Sequence, residues 1–173
     1  MAKLRKAVAY RAVERPYTRK SKFRKLNFIR ATPNLHVVKF DMGDPNKKFD
    51  YKLELKSKSA IQIRHNALES GRKSSNRLLD KGLGKNMYRM RIRVYPHHVL
   101  RENPMATGAG ADRMSEGMKR AFGKPIGLAA QLKKGQTIVE VEVNKANLDL
   151  GKTAMKRFSH KMPCSCTIDI TQN

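Results

Sequence analysis

Apolar positions along this chain change their spacing several times, and each spacing predicts a different element. From Asn34 onward, His36, Val38 and Phe40 alternate with Leu35, Val37 and Lys39, which predicts a short buried strand with valine on both faces. Phe49, Tyr51, Leu53 and Leu55 then alternate with Asp50, Lys52, Glu54 and Lys56, the pattern of a half-buried strand. Between the two, MGDPNKK supplies Gly, Pro and Asn for a turn. Ser59-Ala-Ile-Gln62 has the Ser-x-x-Gln form of a capping box. A helix is therefore expected to start there, pass through Ile63 and Ala67 with a polar interruption at GRKSSN, and end near Gly82.

Period two returns at Met87–Val94. Tyr88, Met90, Ile92 and Val94 share one face, and Arg89, Arg91 and Arg93 share the other. Ile138, Val139, Val141 and Val143, with Glu140 and Glu142 facing outward, predict a further strand. Asn144 is a candidate N-cap for a helix whose Leu150, Ala154, Phe158 and Met162 recur every four residues until Pro163. Cys166, Ile168 and Ile170 alternate with Thr167, Asp169 and Thr171 as a last strand. Strands and two main helices mix without a strict parallel repeat, so the expected class is α+β, one compact domain over 34–173 with a mixed or antiparallel sheet.

Two stretches follow neither rhythm. Residues 1–33 lose any periodicity at Pro16, and residues 102–125, ENPMATGAGADRMSEGMKRAFGKP, begin with almost no bulk to bury. An unpatterned connection of that length in a compact domain is usually functional or disordered.

Charge changes the picture most. The chain carries 38 Lys+Arg against 14 Asp+Glu, a net +24 over 173 residues. So many like charges in one small body call for a polyanionic partner. Residues 1–30 alone hold eleven Lys/Arg and one acid, interleaved with Tyr10, Tyr17, Phe23 and Phe28. A solvated tail needs no aromatics, so the expectation is an arm that neutralises phosphates and stacks on bases. Its candidate contacts are Arg5, Lys6, Arg11, Arg15, Arg19, Lys20, Lys22, Arg24, Lys25 and Arg30. Arg89, Arg91 and Arg93 are spaced about 6.6 Å apart along a strand, a row suited to bidentate phosphate contact, with Arg101 beyond it.

Enzymatic chemistry is scarce. His160, Cys164 and Cys166 do not make the four ligands of a structural zinc site, and the two cysteines are expected on opposite strand faces. His97 and His98 have no nucleophile or carboxylate in a triad-like arrangement, and GLGK and TGAGAD complete no phosphate-loop or dinucleotide pattern. No catalytic residue, metal, cofactor or small-molecule substrate is expected. Two cysteines form no disulfide framework, and no apolar run reaches the roughly 18 residues of a membrane span, so a cytoplasmic polyanion binder is expected.

The run YRMRIRVYPHHVLREN followed by MATGAGADRMSEGMKRAFGKPIG, with RPYTRKS near the start, resembles a family of large-subunit ribosomal proteins. It is called ten-e in archaea and eukaryotes and has a bacterial counterpart numbered sixteen. The resemblance spans essentially the whole chain. It implies a hammerhead-like strand arrangement, binding to large-subunit rRNA at the base of the central protuberance near the aminoacyl-tRNA site, and neighbouring ribosomal proteins as partners. It also implies that the 102–125 loop reaches toward tRNA and the peptidyl-transferase centre, with Asn103, Met105, Thr107, Gly108, Gly110, Asp112 and Arg113 nearest. Two other classes remain open at this point: a free nucleic-acid packaging or RNA-chaperone protein, and an enzyme acting on RNA.

Overall fold

The computed structural model describes residues 5–15, 23–27, 29 and 31–172. Its elements run β1 (Asp41–Gly43), β2 (Tyr51–Ser57), β3 (Ile61–Arg64), α1 (His65–Leu83), β4 (Tyr88–Ile92), β5 (His98–Glu102), α2 (Ala111–Met114), β6 (Lys124–Leu132), β7 (Thr137–Val143), α3 (Leu148–Ser159) and β8 (Cys166–Gln172). Short 3-10 turns occupy Ala7–Ala9, Arg24–Leu26, Gly117–Arg120 and Lys145–Asn147. The class is α+β. One sheet has five strands in the order β1-β4-β7-β2-β8, the other three in the order β3-β6-β5, and every pairing is antiparallel.

Period-two alternation decides which face of the large sheet is buried. Leu53, Leu55, Tyr88, Met90, Ile92, Val139, Val141 and Val143 line one face, and α1 and α3 cover it with Leu68, Leu79, Ala154, Met155 and Phe158. α1 also packs on β3 and β6, so Ile61, Ile63, Ala130 and Leu132 join the same core. The helices approach closely because Gly71 has no side chain: a Cβ there would meet the Phe158 ring at 3.0 Å. Tyr88, the largest fully buried side chain, donates from its hydroxyl to Asp80 at 2.6 Å, and desolvation with that contact pushes its pKa up.

Several expectations are corrected. The strand expected at 34–40 is an extended segment outside both sheets: Val37 is buried while Val38 is 71% exposed. Side chains of α1 hold that segment instead. Val38 donates its N–H to Glu69 Oε2 at 3.4 Å and His36 donates to His65 Nδ1 at 3.4 Å. Pairing with β4 begins only at the Phe40 carbonyl, which accepts from Ile92.

The capping box is no cap. Ile61 to Arg64 form β3, and α1 starts at His65 with no side-chain cap. Two buried β-branched isoleucines paired with Leu132 and Ala130 outweigh a local capping signature.

The 102–125 stretch holds α2, a 3-10 turn and the start of β6. Strands β5 and β6, and so most of the second sheet, carry no alternation that predicts them. Their burial runs are nearly continuous, with Gly127 to Ala130 all buried. Asn144 introduces the 3-10 turn rather than α3, which begins at Leu148.

Candidate nucleic-acid interface

The outer face of the five-stranded sheet is a closed ionic lattice. Register sets Arg89 opposite Glu142 and Arg91 opposite Glu140, so the arginine row lies beside the acids of β7. Arg91 Nε binds Asp41 of β1 at 2.7 Å, and Arg93 reaches Glu140 at 3.5 Å. Register also places Glu54 directly opposite Glu140. Like charges there would repel, and Lys52 Nζ sits between them at 2.7 Å from Glu54 and 3.2 Å from Glu140. Lys56 then bridges Glu54 and Asp169.

The hydrogen bond from Lys52 holds the Glu54 carboxyl below its ordinary range, and the same bond raises the Lys52 ammonium. The acids of this face, Asp41, Glu54, Glu140, Glu142 and Asp169, match in number its bases Lys52, Lys56, Arg89, Arg91 and Arg93. Glu140, expected to face outward, is only 5% exposed because Lys52, Arg91 and Arg93 cover it. Of the row, Arg93 keeps the most open side chain.

The first half of the arm docks on the other sheet. Gln62 of β3 donates its N–H to Arg11 O at 3.0 Å and its Nε2 to Tyr10 O at 3.0 Å. Gln131 of β6 donates to Glu14 O at 2.6 Å and to Gln62 Oε1 at 2.9 Å. Tyr10 donates its hydroxyl to Glu102, which also pairs with Arg5, and the Arg64 guanidinium lies 5.2 Å from the Tyr10 ring. Burial, then the Glu102 charge, pushes the Tyr10 phenol up.

Lys6, Arg11 and Arg15 remain exposed on this docked segment, and Lys25 is exposed in the second 3-10 turn, which Arg24 opens. Arg19, Lys20, Lys22 and Arg30 lie outside the described residues. A cleft of about 340 Å³ opens between the segment and the start of α1, lined by Ala7, Arg64, Asn66, Ser70 and Lys161 among others.

Sequence reasoning missed two groups of basic residues. Lys73, Arg77 and Lys81 are exposed at four-residue spacing along α1, a spacing that the helical stretch itself displays. Arg64 and Lys161 meet at the cleft from opposite halves of the chain, and no linear spacing announces that.

The long loop is pinned at its base. Arg101 donates to the Phe122 carbonyl at 2.6 Å with its guanidinium 3.9 Å from the Phe122 ring. Asn103 donates to Gly117 O at 3.2 Å, so Asn103 belongs to the base and not the tip. Beyond it Met105, Thr107, Gly108, Gly110, Asp112 and Arg113 are placed together, all exposed. Gly108 and Gly110 hold φ values of +117° and +80°, which residues with a Cβ rarely adopt. Met114 and Met118 join Met105 as exposed apolar groups, Met114 at 86%.

Cys164 and Cys166 do not point to opposite faces. Their Sγ atoms stand 3.7 Å apart, as positions two apart along an extended chain share a side. Among the described residues no three His, Cys, Asp or Glu side chains cluster as metal ligands. His97 is exposed beside Tyr95, and His98 is buried with Glu14 4.0 Å away.

Residues 14–169 match the family described as ribosomal protein L16p/L10e. The large ribosomal subunit protein uL16 of Methanococcus maripaludis is 47% identical over 170 residues, covering 98% of this chain and 95% of that protein. The protein of the same name from Archaeoglobus fulgidus is 44% identical over 154 residues, covering 89% of this chain and 85% of that protein.

Proposed function

This chain belongs to the ribosomal protein L16p/L10e family, and from that premise we propose how its surface is divided between rRNA, tRNA and the rest of the particle. Membership makes it a structural constituent of the large ribosomal subunit, with rRNA and neighbouring ribosomal proteins as partners. The reading as a free packaging or chaperone protein finds no support among its relatives, which are named as large-subunit proteins. No described helix is long and apolar enough to cross a membrane.

The observation that carries the division is the segregation of charge. One sheet face neutralises itself, whereas the arm and the exposed stripe of α1 hold basic groups in excess. The rRNA-binding surface is therefore the arm (residues 1–33, with Lys6, Arg11, Arg15 and Lys25 among its described contacts), the Lys73–Arg77–Lys81 stripe, and Arg64 with Lys161 at the cleft. Of the arginine row, Arg93 is the member that offers a guanidinium to phosphate, while Arg89 and Arg91 mainly bind the sheet together. The pinned loop, with Met105, Thr107, Gly108, Gly110, Asp112 and Arg113 at its exposed end, reaches toward tRNA at the peptidyl-transferase centre. Its small residues admit close approach of another chain, and its exposed methionines adapt to irregular apolar surfaces.

The test is the salt dependence of binding to a large-subunit rRNA fragment. Replacing Lys73, Arg77 and Lys81 by Gln is expected to lower the log–log salt slope by roughly 0.7 to 0.9 for each phosphate that is no longer neutralised. Replacing Arg89 and Arg91 by Gln is expected to change the slope by less than one such step. A slope that falls for the sheet variant and stays constant for the helix variant would reverse the assignment.

A further inference from the structure

Cys164 and Cys166 flank Ser165 at the entrance to β8 with their sulfur atoms 3.7 Å apart. Both are partly buried and pack against the core. Cys164 lies on the bend before β8, outside the strand ladder, whereas Cys166 is held in register opposite Ser57. Ser57 Oγ stands 3.7 Å from Cys164 Sγ, and Cys166 Sγ is 3.7 Å from the Cys164 carbonyl. Two thiols touching across one residue, one tethered and one on a bend, are arranged for closure on each other.

We propose that Cys164 and Cys166 form a reversible redox site that a hydroperoxide oxidises to an intramolecular disulfide. The Cys164 thiolate attacks the terminal peroxide oxygen, the O–O bond breaks, and the alkoxide leaves and takes up a proton as the alcohol. Cys164 is then a sulfenic acid. The Cys166 sulfur attacks that sulfur, the S–O bond breaks, and hydroxide leaves with the Cys166 proton as water. Two thiols and one hydroperoxide thus give one disulfide, one alcohol and one water; the thiol pair loses two electrons and the peroxide gains them. A dithiol reductant reverses the change by exchange.

The order of attack follows from the contact between the thiols. The contact with Cys166 lowers the Cys164 thiol, with Ser57 Oγ 3.7 Å away adding to it, and the same contact with burial raises Cys166. Cys164 is thus the thiol that reacts first and Cys166 the one that resolves. Closure brings the sulfurs from 3.7 Å to about 2.05 Å, a movement that the bend at Cys164 can supply.

The experiment exposes the purified, reduced full chain to equimolar hydrogen peroxide and follows its intact mass and its maleimide-reactive thiols. The expected product has lost two hydrogens and both thiols together, remains monomeric, and regains both thiols with dithiothreitol. In Cys166→Ser the expected product is a dimedone-trappable sulfenic acid on Cys164. Lasting oxygen addition on Cys164 or Cys166 of the parent chain, located by peptide mass, or disulfide-linked dimers would each overturn the proposal. The parent-chain result decides without any variant, so a serine variant that folds poorly leaves the question answerable.

Discussion

Lys52 shows how much one side chain can decide. The register between β2 and β7 sets Glu54 against Glu140, and the Lys52 ammonium contacts both carboxylates. Lys52→Met keeps much of the stem and removes the charge, leaving the acids to repel. The expected loss is about 1–3 kcal/mol at pH 7, as for a charged hydrogen bond removed from a partly buried site. The sign with pH follows from Glu54, whose folded pKa lies below its ordinary value of 4.5. Its contribution is complete above that value and disappears as pH falls through the folded pKa. The gap between parent and variant, measured by urea unfolding, should therefore narrow between pH 7 and acid conditions. A gap that stays constant down to pH 3 would mean that Lys52 acts through packing alone.

Helices α1 and α3 meet where Gly71 lies against Phe158. Two effects compete there. Replacing glycine inside a helix by a residue with a Cβ gains up to about 1 kcal/mol of backbone propensity. Against that, the new atom would stand 3.0 Å from a fully buried ring, which would have to shift by a few tenths of an ångström. Overpacking costs about 1–3 kcal/mol and grows with side-chain size, so packing wins. Gly71→Val is expected to lower stability by about that amount, read from thermal unfolding; equal or higher stability would show that the helix pair can separate at little cost. Strand β3 carries the same lesson, since a four-residue capping signature gave way to two isoleucines that the second sheet buries.

Taken whole, the molecule separates anchoring from reach. The loop beyond Asn103 is exposed and its base is fastened by Arg101 with Phe122 and by Asn103 with Gly117. Shortening residues 104–110 to two glycines removes no buried bulk, so the midpoint of unfolding should move by less than a few degrees. Large subunits should still take up the shortened chain at full occupancy through the arm and α1. Peptide-bond formation should slow, because a loop that positions tRNA acts by geometry, and small displacements of reacting ends cost large factors in rate. Full occupancy together with full activity would remove the proposed role of the loop.

Local spacing was enough to settle much of this protein. The buried faces of β2, β4 and β7, the place of β8, and Ala154 and Phe158 of α3 could be read along the chain, because side-chain direction in a strand or helix depends only on neighbouring residues. Ile170 of β8 is exposed and Met162 lies beyond the end of α3. The basic excess, the aromatic-rich arm and the unpatterned loop were equally legible, being matters of composition. What could not be read was every property that depends on which distant segment lies alongside. The arginine row appeared unopposed because Asp41, Glu140 and Glu142 come to it from other strands. The second sheet was hidden because β5 and β6 are buried in nearly continuous runs, which erases the alternation that announces a strand. Neither the docking of the arm on Gln62 and Gln131 nor the pairing that brings the β2 acids and bases into one lattice leaves a local trace. Side-chain period is a property of the backbone a few residues at a time, while the fate of a charge is set by register, and register exists only once the chain has folded back on itself.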